Sequence, residues 1–379
     1  MSNHFVRKRV LFVINSLAGG GAERVLLELI GASRRFVKDY DISLALLDDE
    51  KREYAAPEWL KIHQLDSRGG LIRSAIELHR LLRTLRPDVV LSFLTRANFA
   101  SVAGARMLGH RAIISERVNT SGHFSRGPSA AVSKLLVRLI YPSADKVIAV
   151  SEGIAQDLVA NFGVPTEKIL TIPNPVNMNK IIAASREICE RKFEYPFAVA
   201  VSRLTKTKNV MLLVEALAAS GLALPLVILG QGPEYETIQR RINALGLNQQ
   251  VHMLGFVTNP YPIIASATCY LSGSNAEGFP NGLVEALALG RSVVATNCPS
   301  GPSEILFKRR REEITGVNAG DVGILVPQND IEAMANAIRL AVHNERIAAS
   351  AVAGPRRAGD FSIESATDRY WRAIESVVK

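Results

Sequence analysis

The sequence predicts an α/β fold with two doubly wound domains, each a mostly parallel sheet covered by helices on both faces. Short, nearly continuous runs of Val, Ile and Leu alternate with amphipathic stretches of helix length in both halves of the chain. Strands that are buried on both faces of a parallel sheet require such runs, because helices cover both sides. The chain of 379 residues is also too long for one compact core.

Ten apolar runs have the length and composition of buried strands. The first half contains five, at residues 10–14, 42–47, 89–93, 112–115 and 147–150. The second half repeats the pattern at residues 197–201, 226–229, 268–271, 292–296 and 323–326. Between the halves, Pro173 and Pro175 enclose Asn174, and two prolines this close exclude regular structure. We therefore place the first domain at residues 1–173 and the second at residues 174–361.

Charge and cysteine content narrow the functional classes. The net charge is +9, and residues 1–180 hold 25 Lys and Arg against 17 Asp and Glu. This asymmetry favours an anionic partner, either nucleic acid, an anionic bilayer or a phosphate-bearing substrate. A basic nucleic-acid-binding protein is the alternative of another class, although no recognition module or aromatic stacking motif supports it. Cys189, Cys269 and Cys298 lack CxxC spacing and are expected to be reduced packing residues of a cytosolic protein.

No secretory signal and no membrane span are predicted. Residues 1–10 carry three basic side chains but run directly into the first strand, without an apolar signal region. The one apolar stretch of sufficient length, residues 210–230, contains Glu215, Gly221 and Pro225. We expect it to form a helix, a turn and a buried strand instead.

Three consecutive glycines, Gly19, Gly20 and Gly21, follow the first strand and open a helix. A doubly wound sheet places backbone amides at this position, where they can bind a phosphate or a sugar. Arg24 occupies the third glycine position of a GxGxxG pattern, so a dinucleotide-binding loop is not indicated. The alternative is a tight turn between strand and helix with no binding role.

A basic segment at residues 202–209 follows the first strand of the second domain, at the edge where open α/β sheets bind ligands. Arg203 and Lys208 can converge there on a diphosphate and neutralise the charge that develops when it leaves. Each charged hydrogen bond contributes roughly 1.5–3 kcal/mol. The alternative is a solvated basic turn.

Two carboxylates, Glu277 and Glu285, stand eight residues apart in a glycine-containing and proline-containing segment. Glu277 is predicted to lie in the loop after a strand, and Glu285 about one turn into a helix that begins near Asn281. Unpaired amides at the helix start favour a phosphate, while Glu285 can accept two ribose hydroxyls and Glu277 sugar hydroxyls. The alternative is that Glu285 is a capping or solvent-exposed carboxylate and Glu277 a charge on a loop surface.

Five segments in order resemble the family 4 glycosyltransferases. They read IPNPVN at 172–177, SRLTKTKN at 202–209, EGFPNGLVEALALG at 277–290, NCPSGPSEIL at 297–306 and GILVPQND at 323–330. The EGFPN and CPSGP variants look like the branch that assembles lipid-linked oligosaccharides, capsules and exopolysaccharides. The resemblance implies the GT-B architecture, in which two Rossmann-like domains face each other across a cleft. It also implies that a helix over about residues 362–379 packs back on the first domain.

The resemblance also assigns roles to individual residues. It implies that Arg203 and Lys208 hold the donor diphosphate, Glu285 the ribose and Glu277 the transferred sugar. The implied donor-binding set further includes Gly20, Gly21, Gly278, Phe279, Pro280, Asn281, Gly282 and Leu283. Retention of anomeric configuration by front-face substitution is implied, with the donor phosphate accepting the acceptor's proton.

The chain departs from the family pattern after the strand at residues 112–115. Many relatives have a histidine there, whereas this sequence has Glu116 and Arg117, and its nearest histidine is His123. Either Arg117 replaces the histidine near the donor sugar, or His123 reaches the site from a longer loop. We name Arg117 as the candidate catalytic residue of the first domain.

No metal ion or cofactor is expected. Asp39 and Asp41 match a DxD pattern but precede a strand, so they are predicted to lie at the amino edge of the sheet, opposite the ligand edge. Arg203 and Lys208 can take the place of a cation at the diphosphate, and no His or Cys cluster has zinc spacing.

The sequence therefore predicts a metal-independent hexosyltransferase. Its donor is expected to be a UDP-sugar or a GDP-sugar, with UDP favoured, that carries a hexose or N-acetylhexosamine. Its acceptor is expected to be polyprenyl-linked or a polysaccharide. A basic amphipathic helix at residues 71–85, with Arg126, Lys134 and Arg138 in the next basic segment, is consistent with peripheral binding to the inner face of the cytoplasmic membrane, or with ordinary packing on the sheet. A nucleotide-sugar epimerase of the same fold is the alternative enzyme, and donor turnover without acceptor would favour it.

Overall fold

A computed structural model describes residues 7–123, 128–188, 193 and 195–378. The chain forms two compact units, one comprising Met1–Pro175 with Ile363–Lys379 and the other Val176–Ser362. We call them the N-terminal and C-terminal units. The chain passes from one unit to the other after Pro175 and returns after Ser362. The boundary expected from sequence, after residue 173, lies two residues before the first of these passages.

Seven described strands form a parallel sheet in the N-terminal unit. They are β1 (Lys8–Ile14), β2 (Tyr40–Leu46), β3 (Lys61–Gln64), β4 (Val89–Phe93), β5 (Arg111–Glu116), β6 (Lys146–Ala149) and β7 (Ile169–Thr171). Their order is β3-β2-β1-β4-β5-β6-β7, and all neighbours are parallel. The helices of this part of the chain are α1 (Gly21–Ala32), α2 (Leu71–Leu85), α3 (Thr95–Leu108), α4 (Thr120–His123), α5 (Pro128–Ile140) and α6 (Glu152–Phe162).

The C-terminal unit repeats this plan with seven more described strands. They are β8 (Ala198–Val201), β9 (Leu226–Leu229), β10 (Val251–Gly255), β11 (Cys269–Ser272), β12 (Ser292–Thr296), β13 (Asn318–Ala319) and β14 (Ile324–Val326). Their order is β10-β9-β8-β11-β12-β14-β13, and only the edge pair β13 and β14 is antiparallel within this described sheet. The helices are α7 (Met178–Ala184), α8 (Val210–Ser220), α9 (Tyr235–Ala244), α10 (Tyr261–Ser266), α11 (Asn281–Ala288), α12 (Pro302–Phe307), α13 (Ile331–Ala341) and α14 (Asn344–Gly359).

The two faces of the N-terminal sheet carry different helical layers. Phe12 of β1 belongs to the core under α1, whereas its neighbours Leu11 and Val13 pack with Leu78 and Leu82 of α2. Side chains alternate between the faces of a strand, so these helices lie on opposite sides of the sheet. Because α3 packs against both α2 and α5, these three helices form one layer.

The last helix, α15 (Ile363–Val377), completes the other layer of the N-terminal unit, beside α1. Trp371 is fully buried there, and its ring stacks on Phe36 with a centroid separation of 4.1 Å. Its indole nitrogen donates to Ser33 Oγ at 2.8 Å. Tyr370 packs against Phe93 of β4. The helix therefore completes the core of the N-terminal unit, although the entire C-terminal unit lies between them in the sequence.

All ten predicted strands are present, with ends within two residues of those expected. The sequence analysis missed β3, β7, β10 and β13. These are short or at sheet edges: β3 and β10 contain the sequences KIHQ and VHMLG, in which polar residues interrupt the apolar run. An edge strand has a neighbouring strand on one side only and is less completely buried. Its sequence therefore lacks the continuous apolar run of a central parallel strand.

Residues 210–230 form helix α8 and strand β9 joined by a turn, as predicted. No helix in the described ranges is both long enough and apolar enough to cross a bilayer. Cys269 and Cys298 are buried free thiols, whereas Cys189 lies outside the described residues.

Replacing Trp371 with alanine should destabilise the N-terminal unit by about 3–5 kcal/mol, because loss of the large aromatic side chain leaves a cavity and removes the donor to Ser33 Oγ. Urea unfolding followed by far-ultraviolet circular dichroism measures this loss. Arg372→Ala is the matched control, since Arg372 is the exposed neighbour on the same helix. Equal stability of the two variants would contradict the packing role of Trp371.

Candidate functional site

The candidate donor site lies at the carboxyl edge of the C-terminal sheet, where the strand order reverses between the neighbours β8 and β11. The basic segment 202–209 follows β8, and the loop that contains Glu277 follows β11. A backbone bond from Asn275 N to Thr207 O, 2.7 Å long, joins the two loops. Two segments that are about 70 residues apart in sequence therefore meet at one position.

Lys208 and Glu277 form an ion pair between these loops. Lys208 Nζ donates to both carboxylate oxygens of Glu277, at 2.6 and 2.7 Å, and Ser274 Oγ donates to Oε1 at 2.6 Å. The Glu277 side chain is 9% exposed and the Lys208 side chain 24%. The carboxylate is thus almost enclosed but well supplied with donors, while about a quarter of the Lys208 side chain remains open to solvent.

Side chains from the adjoining strands fix the loop that carries Glu277. Thr296 Oγ1, at the end of β12, donates to Ser274 O at 2.5 Å. Gln328 Nε2, just after β14, donates to Asn275 O at 2.6 Å, and Arg311 Nη2 holds the Gln328 amide oxygen at 3.1 Å. The backbone before Glu277 is therefore held by side chains at the ends of two neighbouring strands, β12 and β14.

Glu285 lies in the second turn of α11, where it is buried. The Tyr270 hydroxyl of β11 donates to Val201 O at 3.3 Å. Burial raises the pKa of Tyr270, and the charges of Glu285 and then Glu277 raise it further. Both carboxylates are thus near enough to Tyr270 for their charges to act on its hydroxyl.

Gly282 allows the first turn of α11 to approach this hydroxyl. A Cβ atom at this position would lie 2.4 Å from the Tyr270 oxygen, which is far inside van der Waals contact. Pro280 is the residue that precedes the helix, and its side chain does not cap the helix by a hydrogen bond. The amide end of α11 is therefore held directly against the carboxyl ends of β8 and β11.

The other predicted donor-binding residues of this segment are mostly buried. Phe279 is buried with its ring edge-on to Phe361 at a centroid distance of 5.3 Å, and Leu283 is also buried. Gly278 and Pro280 are buried as well, and Asn281 is half-buried. The Leu283 amide donates to Pro280 O at 3.1 Å. These side chains shape the helix start from the core side, so any ligand contact from Phe279 or Leu283 must come from the backbone.

Arg203 is exposed in the loop after β8. Within the described part of the chain its guanidinium makes no hydrogen bond or ion pair, and the structure does not bring it to the Lys208–Glu277 pair. Its predicted role at the diphosphate stays a prediction. Sequence position places it at the correct sheet edge, but a long exposed side chain takes its final orientation from a ligand.

The glycine loop of the N-terminal unit has the geometry of a helix entrance. Gly19 has a φ of +99°, Gly20 is the extended residue before α1, and Gly21 is the first residue of the helix. Glu23 stands in the first turn, and a Cβ atom at Gly20 would lie 2.3 Å from its carboxylate. The backbone is therefore folded tightly around Glu23, and the predicted binding role of Gly20 and Gly21 stays a prediction.

Arg117 is buried in the N-terminal unit and fully engaged. Its Nη2 donates to Asn174 Oδ1 at 2.6 Å and its Nη1 to the Tyr370 hydroxyl at 3.3 Å, while the guanidinium lies 4.9 Å from the Phe93 ring centre. Burial lowers the pKa of Arg117, and the nearby Tyr370, Glu23 and Glu116 oppose this shift. These contacts indicate that Arg117 ties the segment before the first passage between units to α15.

Glu116 and His123 are the other two residues at this departure from the family pattern. Glu116 is buried and accepts from the Tyr141 hydroxyl at 2.5 Å and from the Arg117 amide at 3.1 Å. Burial raises the pKa of Glu116, against the effect of these donors. His123 is the last residue of α4, and its side chain lies outside the described residues. The enclosure of Arg117 argues against the direct catalytic role expected for it, and the alternative, His123, stays a prediction.

Asp39 and Asp41 flank the first residue of β2, at the amino edge of the N-terminal sheet, as predicted. Across residues 7–123, 128–188, 193 and 195–378, no group of three or more His, Cys, Asp or Glu side chains is arranged to hold a metal ion. The independence from metal that the sequence suggests remains a prediction.

Sequence analysis missed several residues that build these sites. Tyr270, Ser274 and Gln328 organise the C-terminal site, and Asp48 with Arg96 forms a paired group at the carboxyl edge of the N-terminal sheet. Burial pushes the pKa of Asp48 upward, but hydrogen bonds from Arg96 and the Gly69 amide outweigh it, so the net shift is downward. A tyrosine within an aliphatic strand was the one signal available for Tyr270.

Two family descriptions match the chain. Residues 19–180 match "Glycosyltransferase Family 4", and residues 182–354 match "Glycosyl transferases group 1". Together they include all residues of the candidate donor site.

Curated relatives include two Campylobacter jejuni enzymes. One, N-acetylgalactosamine-N,N'-diacetylbacillosaminyl-diphospho-undecaprenol 4-alpha-N-acetylgalactosaminyltransferase, is 33% identical over 77% of this chain and 81% of its own length. The other, a GalNAc-alpha-(1->4)-GalNAc-alpha-(1->3)-diNAcBac-PP-undecaprenol alpha-1,4-N-acetyl-D-galactosaminyltransferase, is 24% identical over 97% of this chain and 99% of its own.

Solved structures share the fold. HepE of Anabaena in complex with UDP has a TM-score of 0.75 at 18% identity, with 97% of this chain and 100% of HepE covered. Sucrose-phosphate synthase of Thermosynechococcus elongatus has a TM-score of 0.81 at 15% identity, with 98% of this chain and 99% of the other covered. The fold class predicted from the sequence, GT-B with two Rossmann-like domains, is confirmed.

Gly282→Ala should destabilise the C-terminal unit, because the added methyl group collides with the Tyr270 hydroxyl; overpacking of this kind costs about 1–3 kcal/mol. Tyr270→Phe in the same chain should recover a large part of the loss. Urea unfolding of the two single variants and the double variant gives the coupling between the two residues. Gly31→Ala is the control, since a Cβ atom there meets nothing within 4 Å and the change raises helix propensity. Additive effects of Gly282→Ala and Tyr270→Phe would contradict the close approach.

Proposed function

The chain belongs to the group 1 and family 4 glycosyltransferases, and from this premise we propose that it is a retaining enzyme acting on a lipid-linked acceptor. Its proposed donor is a UDP-sugar that carries a hexose or N-acetylhexosamine. The single observation that carries the assignment of the donor site is the Lys208–Glu277 ion pair at the strand-order reversal of the C-terminal sheet. Both residues lie where an open α/β sheet binds its ligand.

The proposed donor contacts follow from the charges at this edge. Part of the Lys208 side chain is exposed, and Arg203 is an exposed residue of the same loop, so both can turn to a diphosphate. Glu277 provides carboxylate oxygens for hydroxyl groups of the transferred sugar. Glu285 is positioned for the ribose hydroxyls, and the start of α11 faces the phosphates with its amide end.

The proposed chemistry is a front-face substitution. The bond between the sugar's anomeric carbon and the diphosphate oxygen breaks, and a bond to the acceptor oxygen forms on the same face. The acceptor hydroxyl gives its proton to the departing phosphate oxygen. Lys208 and Arg203 stabilise the negative charge that develops on the nucleoside diphosphate, which is the contribution that preorganised cations make to such steps.

Names of relatives support the finer assignments. Both Campylobacter jejuni relatives are named for an undecaprenol-diphosphate-linked acceptor and an α linkage, which supports a polyprenyl-linked acceptor and retention from an α-linked donor. The structures of Anabaena HepE contain UDP or UDP-glucose, which supports UDP rather than GDP. A lipid-linked acceptor supports peripheral placement on the cytoplasmic face of the membrane.

Arg117 has a supporting rather than a chemical role in this proposal. Its side chain is enclosed by Asn174, Tyr370 and Phe93, so it cannot reach a reacting atom without losing these contacts. It would position the carboxyl edge of β5, where relatives of the family carry a histidine.

Lys208→Met, Arg203→Met and Glu277→Gln should each lower the turnover number for transfer by about 10²–10³-fold, because each removes a group that stabilises the transition state. Radiolabelled transfer from a UDP-sugar to a polyprenyl-diphosphate-linked saccharide measures the rate. Asp39→Asn is the control and should keep its rate within about twofold, since it lies at the opposite edge of the N-terminal sheet. Melting temperatures separate lost chemistry from lost folding, above all for the exposed Arg203. Near-normal turnover of Arg203→Met and Lys208→Met would refute the donor site.

Transfer should continue at an unchanged rate after dialysis against EDTA, because Lys208 and Arg203 supply the positive charge that a divalent cation provides in other glycosyltransferases. The same assay, with and without added Mg²⁺ or Mn²⁺, measures this. Loss of activity in EDTA that either ion restores would overturn metal independence while leaving the donor site in place.

A further inference from the structure

Helix α5 carries a stripe of exposed apolar side chains. Val132, Leu135 and Leu139 are 57%, 56% and 62% exposed, and their spacing of three and four residues places them on one face of the helix. Val137 of the same helix is fully buried, so α5 packs on the unit through another face. Three large apolar side chains thus remain in contact with solvent in a row.

The same helical layer carries further exposed apolar residues next to cations. Ile72 of α2 is 77% exposed beside Arg73, and Met107 of α3 is 72% exposed beside Arg106. Both arginines are exposed. Isolated exposed apolar residues need no explanation, but here they occur on all three helices of one layer.

The charge of this layer is strongly polarised. Helices α2, α3 and α5 contain seven Lys or Arg against one Glu, a net charge of +6. The opposite layer, α1 and α15, contains three Arg against five Asp or Glu, a net charge of −2. Arg96 is paired with Asp48 at the carboxyl edge of the sheet, so six of these seven cations remain for the side of the layer that also exposes the apolar side chains.

We propose that this face, formed by α2, α3 and α5, binds the surface of an anionic lipid bilayer, with Val132, Leu135 and Leu139 inserted below the headgroups. Apolar side chains that protrude between cations are the pattern of helices that lie in the membrane interface. Lys134 and Arg138 lie on the same helix as the stripe, so their charged ends can stay among the headgroups. The inference deepens the proposed function, since a polyprenyl-linked acceptor resides in that bilayer.

Co-sedimentation of the full chain with lipid vesicles tests this surface without donor or acceptor, so its outcome does not depend on the proposed chemistry. Wild-type protein should partition onto vesicles of phosphatidylglycerol and phosphatidylcholine about tenfold more strongly than onto phosphatidylcholine alone. The triple variant Val132→Ser/Leu135→Ser/Leu139→Ser should lose about tenfold or more of the binding to the anionic vesicles. Lys134→Gln/Arg138→Gln should lose about tenfold on anionic vesicles and nothing on neutral ones.

Val352→Ser is the matched control, because Val352 is 69% exposed on α14 of the C-terminal unit, and it should bind vesicles like wild type. Lys134 is half-buried and the other replaced side chains are exposed, so melting temperatures should stay close to that of wild type. Full vesicle binding by the triple variant, or equal binding of wild type to neutral and anionic vesicles, would overturn the proposal. So would a wild-type dimer that the triple variant converts to a monomer while vesicle binding is absent.

Discussion

The ion pair between Lys208 and Glu277 is the interaction on which the C-terminal site depends. Taking the Glu277 carboxylate out of water costs several kcal/mol unless other donors replace the water. Lys208 and Ser274 supply three such hydrogen bonds to the nearly enclosed carboxylate. The pair also holds the loop after β8 to the loop after β11. On the proposed function, Lys208 is thus already in position when a diphosphate arrives, and the sugar hydroxyls replace it at Glu277.

Close backbone packing at the same sheet edge fixes the position of the loop that carries Lys208, and with it the geometry of the ion pair. Gly230, which follows β9, has a φ of +143°, and a Cβ atom there would lie 1.8 Å from Ser202 O. The loop after β8 is therefore packed against the loop after β9 on one side and the Glu277 loop on the other. With both neighbours in contact, the segment that carries Lys208 cannot shift without displacing strands of the sheet.

The sequence was sufficient for the features that depend on periodicity and order along the chain. Buried strands read as apolar runs, and parallel topology then brings their carboxyl ends to one edge, which predicts that Lys208 and Glu277 lie near each other. Their direct pairing was not predictable, because it depends on side-chain directions set by Ser274, Thr296 and Gln328. The edge strand β3 was not predicted because its half-exposed sequence, KIHQ, contains no continuous apolar run.

The contrast between Arg117 and Lys208 separates two uses of a positive charge in this chain. Arg117 has a planar guanidinium that Asn174, Tyr370 and the Phe93 ring contact at once, an arrangement that a single ammonium group could not satisfy. Such a cation is immobilised, which suits the tie between β5, the segment before Pro175 and α15. Lys208 has one carboxylate partner and a quarter of its side chain exposed, so it can exchange that partner for another anion. Enclosure by several partners therefore marks the structural cation, and partial exposure with a single partner marks the one that is available to a substrate.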